Sequence, residues 1–429
     1  MKQGIHIISL GCSKNLVDAE LLMRQLEKAG YRVEIDGEGS RAGIVVVNTC
    51  GFIGDAKEES VDEILAQVER KRGGEVKKVF VMGCLSQRYS TELKREIPEV
   101  DGWFGKFDWK GILAELGKQY DEAARDERSL STPRHYAYLK ISEGCDRTCS
   151  YCAIPLMTGP HRSRPFEEII REAERLTGMG VKELLVIAQD STYYGTELYG
   201  RNRLAELVDR LADVPGAEWI RIHYAYPAGF PFELLPVMRE RPNVCKYLDI
   251  ALQHCSDRML RLMRRGVTGE QTRALVRRVR EEVPGIVLRT TLMTGHPGET
   301  AADFREMVAF VRETRFERLG VFPYSHEEGT FCGNHYRDNV PGKVKQARAE
   351  EIMEIQREIS AAFNAKRIGT RTRVLIDRVE GDGYAGRTEF DSPGVDPEVI
   401  VAGSAGKLEI GSFREFAIAS AGDYDIHVI

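Results

Sequence analysis

The sequence predicts an α/β protein in three parts: an N-terminal parallel α/β domain, an open (β/α)6 barrel and a small C-terminal antiparallel β-barrel. Three observations carry this reading. Apolar β-branched runs alternate with amphipathic helical patterns over residues 1–117 and again over 135–362, an alternation that builds parallel sheets. Between the two lies 118–134 (KQYDEAARDERSLSTPR), charged, rich in Ser, Thr and Pro and without apolar period, which reads as a linker. Over 363–429, short β-type runs are broken by Gly, Asp and Pro, as in a small barrel.

In chain order, GIHIISLGC, RAGIVVVNTC and KKVFVMGC are buried-strand runs ending at Cys12, Cys50 and Cys84. Helical patterns follow from Asn15 to Ala29, from about Ala56 to Glu69, and after Cys84. The second part offers strands at 137–142, 183–189, 219–224, 247–252, 286–293 and 319–325, and six such units suit a β/α barrel. A charged helix over 341–367 leads to RVLIDRVE, YAGRTEF, VIVAG and FREFAIASA.

The chain has 429 residues, with Lys plus Arg at 61, Asp plus Glu at 66 and a net charge of −5. That balance argues against attachment to nucleic acid or membrane by bulk charge. No apolar run approaches the roughly 20 residues of a membrane-spanning helix. MKQGIHIISLGC reaches Gly and Cys too early for a secretory signal, so a cytoplasmic location is expected.

Nine cysteines, an odd number spread along the chain, make no disulfide framework. EGCDRTCSYCAIP places Cys145, Cys149 and Cys152 at C-x3-C-x2-C, close enough to surround one metal centre. Three thiols fall one short of a closed zinc site and leave one iron of a [4Fe–4S] cube open. A zinc knuckle completed by His135 or His161 is the alternative. Cys12, Cys50 and Cys84 lie at C-terminal ends of parallel strands, which share one ligand-binding edge. They could converge there, or be three unrelated buried thiols. Cys245, Cys255 and Cys332 match no ligand spacing and read as structural.

C-x3-C-x-Tyr-Cys at the first strand of such a barrel resembles the radical S-adenosylmethionine superfamily. The resemblance implies that Cys145, Cys149 and Cys152 hold a [4Fe–4S] cluster whose open iron chelates S-adenosylmethionine. Reductive cleavage would then give methionine and a 5′-deoxyadenosyl radical. AQDSTYYG (188–195), with Gln189, and LQHCSDRMLRLMRR (252–265) are similar to segments lining the barrel mouth. TGHPGET, with Gly295 and Gly298, resembles the segment near the nucleotide. Tyr151, Gln189, Gly295 and Gly298 are therefore expected near S-adenosylmethionine. Alternatively, Gly295 and Gly298 only shape a turn, and His254 is a satisfied core histidine. MTGPHRSR (157–164) and His296 depart from the usual pattern of these relatives.

LGCSKNLVDAE, NTCGFIGDAKEES and MGCLSQRY resemble the three cysteine segments of the methylthiotransferase family. That family joins such a domain to a radical S-adenosylmethionine barrel and a terminal β-barrel called TRAM. The resemblance implies a second [4Fe–4S] cluster on Cys12, Cys50 and Cys84, whose open iron holds the sulfur to be inserted. SLGCSKNLVDAE and NTCGFIGDAKEES are most similar to the RimO-type branch, which modifies the β-carbon of an aspartate in ribosomal protein S-twelve. The implied partners are that protein or the small ribosomal subunit, and an electron donor such as flavodoxin or ferredoxin. The rival substrate is tRNA adenosine; a non-catalytic metal-binding module of ribosome or RNA is the other alternative. From Gly369 onward six basic residues face eleven acidic ones, among them Asp391 and Asp396. An acidic substrate-gripping domain suits a basic protein better than RNA, which makes tRNA unlikely.

Overall fold

The computed structural model describes residues 4–37 and 42–429; Arg41, the first residue of the second strand run, lies outside them. The first sheet holds β1 (Gly4–Ser9), β2 (Arg32–Ile35), β3 (Ile44–Thr49), β4 (Lys78–Gly83) and β5 (Gly102–Trp103), all parallel, in the order β2-β1-β3-β4-β5. Strand alternation gives it two cores. Val46 points with Ile5 and Ile7 to the helix Ser13–Lys28, while Val45 and Val47 point to Ile64 and Val68 of the helix Gly54–Arg72.

The second unit begins with β6 (Tyr136–Lys140) and a short ribbon of β7 (Ser142–Glu143) and β8 (Arg162–Ser163). It continues through β9 (Glu183–Ile187), β10 (Trp219–Ala225), β11 (Val244–Gln253), β12 (Val287–Thr294) and β13 (Arg318–Pro323). Its parallel sheet runs β13-β12-β11-β10-β9-β6 and stays open, as the sequence predicts. The helix Gly342–Ala365 packs against β13 and leads to β14 (Arg371–Glu380), β15 (Gly383–Arg387), β16 (Val399–Val401), β17 (Phe413–Ala421) and β18 (Ile426–Val428). These close a barrel in the order β14-β15-β16-β18-β17. One difference from a purely antiparallel barrel is the parallel pair β16–β18, which allows the short last strand to seal it.

The C-terminal barrel docks on the N-terminal ends of the large sheet. Trp219, Tyr247 and Val287 pack on Leu375, Phe390 and Phe413. Arg387 pairs with Glu183 at 2.6 Å, Arg318 with Asp391 at 2.6 Å and Arg289 with Asp396 at 3.3 Å. Tyr247 Oη donates to Asp396 at 2.6 Å, and Ser392 Oγ lies 3.1 Å from His223 Nε2.

This corrects one expectation. Asp391 and Asp396 are not a free acidic face for a basic partner: their carboxylates are buried counter-ions of barrel arginines. Asp377 is likewise engaged, by His135 and Arg387. Sequence charge counting cannot see such pairing. Breaking one buried pair leaves an uncompensated charge, so Asp391→Asn is expected to lower unfolding free energy by about 3 kcal/mol. Denaturant melts should show that loss. Burial alone would raise the carboxyls of Glu183, Asp377 and Asp391, but the paired cations outweigh it and hold all three below their ordinary range. Their stabilisation is therefore present above the unfolded values of about 4 and is lost as pH falls below them.

Candidate functional site

The first three cysteine loops are shaped by their strand ends. Cys12 caps the helix Ser13–Lys28, Cys50 follows β3 directly and Cys84 starts the helix Cys84–Glu96. Register sets Thr49 beside Gly83, whose φ of +101° carries the chain into that helix. A Cβ at Gly83 would meet Thr49 O at 2.5 Å, so glycine is required. Asn15 braces all three loops: Nδ2 donates to Leu10 O (3.1 Å) and Thr49 O (3.0 Å), and Oδ1 lies 3.5 Å from Cys84 Sγ.

The second cysteine loop leaves β7 through Gly144, where a Cβ would sit 2.0 Å from Pro160 O. Backbone bonds from Cys145 N to Gly159 O, Ser150 N to Met263 O and Cys332 N to Ser150 O hold it. His296 supports it from below, with Nε2 3.2 Å from Ser150 Oγ and its ring edge-on to Tyr151. Burial pushes His296 down to about 4, so a neutral ring does this work.

All six cysteines line one cavity of about 340 Å³ between the N-terminal sheet and the barrel. No disulfide joins them. Burial pushes Cys84 and Cys145 up to about 12 and raises Cys50 and Cys152 too, so a thiolate here needs a cationic partner. Two soft thiol triplets in such a space fit two iron–sulfur groups by donor chemistry. Arg265 supplies part of the positive field: Nη1 donates to Cys149 Sγ at 3.1 Å and to Tyr151 Oη at 3.3 Å. Tyr226 Oη lies 3.5 Å from the same sulfur.

The zinc alternative loses its fourth ligand, because His135 is engaged 2.7 Å from Asp377 and His161 3.2 Å from Ser163 Oγ. Tyr151 and Gln189 line the cavity. Gly295 and Gly298 do not: they form the turn after β12, and a Cβ at Gly295 would strike Lys345. His254 is a core residue whose Nδ1 accepts from Cys255 N and Ser256 N. Cys245, Cys255 and Cys332 are buried away from the cavity.

A charged seam joins the two halves beside Cys84. Lys106 sits 2.9 Å from Glu143 and 3.5 Å from Asp18, and Lys140 pairs with the same two carboxylates. Lys57 and Arg88 both reach Glu327 at 2.9 Å on the other side. Lys14, Arg147, Tyr224, Gln253 and Arg265 also line the cavity and were not singled out from sequence. They lie apart along the chain, and only Gln253 and Arg265 fall in the segment 252–265 expected at the barrel mouth.

Comparisons with known proteins agree with this architecture. Residues 4–105 match the model described as "Uncharacterized protein family UPF0004", 139–311 the radical SAM superfamily and 368–428 the TRAM domain. A protein of Bacteroides thetaiotaomicron named ribosomal protein uS12 methylthiotransferase RimO is 59% identical over 99% of this chain and 98% of its own length. Its namesake in Christiangramia forsetii is 52% identical over 99% and 94%. Among solved structures, the radical S-adenosylmethionine methyltransferase TsrM from Kitasatospora setae has a TM-score of 0.55 at 16% identity, covering 78% of this chain and 77% of that one. The cobalamin-dependent S-adenosylmethionine radical enzyme OxsB gives 0.52 at 14%, covering 82% and 56%. These likenesses show the fold.

Fold and cysteine loops together define a radical S-adenosylmethionine enzyme with an added thiol-bearing domain and a TRAM barrel. Within that class, the chain belongs to the RimO methylthiotransferase family.

Proposed function

We propose that this enzyme adds a methylthio group to the β-carbon of an aspartate in ribosomal protein uS12. The reading is supported by the two thiol triplets lining one cavity, in a chain of the RimO family. Cys145, Cys149 and Cys152 would hold one [4Fe–4S] cluster and Cys12, Cys50 and Cys84 the other. When bound, these clusters and S-adenosylmethionine supply one-electron cleavage chemistry on the barrel side and sulfur on the N-terminal side.

The chain's own residues set the stage. Arg265 fixes the Cys149 sulfur and offsets thiolate charge. The rings of Tyr151 and Tyr226, whose hydroxyls are engaged at Arg265, and the methyl of Ala225 line the cavity and would limit water around a reactive carbon. The seam of Lys106, Lys140, Asp18 and Glu143 fixes the spacing of the halves, and with it the distance between sulfur and target carbon. The reductant would be a small electron-transfer protein of the flavodoxin or ferredoxin type, and the enzyme would act in the cytoplasm.

The test is anaerobic incubation of the reconstituted enzyme with S-adenosylmethionine, sulfide and reductant, offering uS12 and bulk tRNA together. Mass spectrometry should find a methylthio gain on the uS12 aspartate and none on tRNA. A gain on tRNA adenosine instead would overturn the substrate, and no gain on either would overturn the reaction.

A further inference from the structure

Among the described residues, Lys14 is a cation with no carboxylate paired to it. It lies two residues beyond Cys12, lines the cavity and is only 8% exposed. Its Nζ stands 3.1 Å from the centroid of the Tyr224 ring, and no carboxylate lies within ion-pair distance among the described residues. The other cavity cations are committed: Lys106 to Glu143, Arg147 to Asp190 at 2.7 Å, and Arg265 to Cys149 and the carbonyl of Ala251. Lys14 is also in the first turn of the helix Ser13–Lys28, which has no acidic residue there and presents its positive pole. An ammonium so placed, on a little-exposed lysine and open to the cavity, is set to meet an anion that enters there.

The floor beneath it is strained. Tyr224 has φ +61° and Gln253 φ +70°, left-handed values that are outliers for bulky side chains, and both residues line this cavity. Tyr224 is held by its N–H donating to Asp249 Oδ2 (3.1 Å), with its Oη 3.4 Å from Ser13 Oγ. The strain thus places an aromatic face from the barrel under a lysine from the N-terminal domain. That pairing holds the ammonium in one position while leaving its hydrogen-bonding directions free.

We infer that Lys14, seated on the Tyr224 ring, binds the side-chain carboxylate of the substrate aspartate and thereby fixes its β-carbon between the two cysteine triplets. The inference rests on the proposed aspartate-modifying function. The carbon to be modified is one bond from the carboxylate, so a single ion pair at this point locates it closely. Lys14 comes from the sulfur-side domain, which favours the substrate over the carboxylate of S-adenosylmethionine, expected at the barrel triplet.

The experiment compares reconstituted wild-type, Lys14→Met and Lys14→Arg enzymes. It measures equilibrium affinity for uS12, affinity for S-adenosylmethionine, and the electron paramagnetic resonance signals of the reduced clusters. Lys14→Met is expected to weaken uS12 binding about 30-fold, the effect of removing one partner of a buried charge pair, with Lys14→Arg recovering most of it. Changing the uS12 aspartate to Asn should weaken wild-type binding comparably and cost Lys14→Met nothing further. S-adenosylmethionine affinity and cluster spectra should stay as in wild type. Unchanged uS12 affinity in Lys14→Met overturns the inference. So does a loss confined to S-adenosylmethionine, which would assign Lys14 to that carboxylate, or an altered signal alone, which would make it a cluster counter-ion. Wild-type enzyme that fails to modify uS12 removes the proposed function itself, an outcome visible without any variant.

Discussion

Replacing Cys149 with Ala is expected to reduce 5′-deoxyadenosine formation to background and to remove roughly half of the bound iron. The reason lies in how much of the barrel mouth converges on this sulfur. Arg265 Nη1 reaches it at 3.1 Å and Tyr226 Oη at 3.5 Å, while the Arg265 guanidinium lies 4.1 Å from the Tyr226 ring centroid. These groups form a preorganised positive and polar collar around one thiolate, which two neighbouring thiols cannot replace. Cys149→Ala should fold, because backbone bonds from Cys145, Ser150 and Cys332 hold its loop. An unchanged circular dichroism melt would confirm that. Unaltered 5′-deoxyadenosine production from such a folded variant would remove the barrel triplet from the reaction.

Arg265 also illustrates which parts of the site were legible in the sequence. Cys145, Cys149 and Cys152 are visible because their spacing alone forces them together. Cys12, Cys50 and Cys84 are visible at one remove, since parallel strands ordered β1-β3-β4 must bring their C-terminal ends to one edge. What stayed hidden depends on contacts between domains. No local pattern reports that Lys14 crosses to Tyr224, or that Lys106 and Asp18 meet Glu143 and Lys140. For the same reason a count of charges misread Asp391 and Asp396, which look like surface acids until the barrel arginines are seen beside them. The strands not anticipated, Arg32–Ile35, Gly102–Trp103, Arg162–Ser163 and Ile426–Val428, are short and sit at edges, in a two-stranded ribbon or at a closure, where neighbouring strands rather than their own sequence fix the conformation.

The second large effect separates the two triplets. Cys50→Ala is expected to retain 5′-deoxyadenosine formation while methylthio product falls to background. The separation is physical: the barrel loop is held by Gly159, Met263 and Cys332, none of them in the N-terminal domain, so losing Cys50 leaves that loop intact. Around Cys50 the packing is close. A Cβ at Gly11 would meet its Sγ at 2.9 Å, and the backbone N–H of Cys50 donates to Ser60 Oγ at 3.0 Å. Truncation to Ala therefore removes a thiol from a fixed position and leaves its loop in place. Cys50→Ser, closer in volume, should behave the same, because the hard hydroxyl does not replace a soft thiolate on iron. Methylthio product from either variant would mean that the sulfur is delivered from somewhere other than the N-terminal thiols. Parallel loss of 5′-deoxyadenosine would mean that the two halves act as one electronic unit across the cavity.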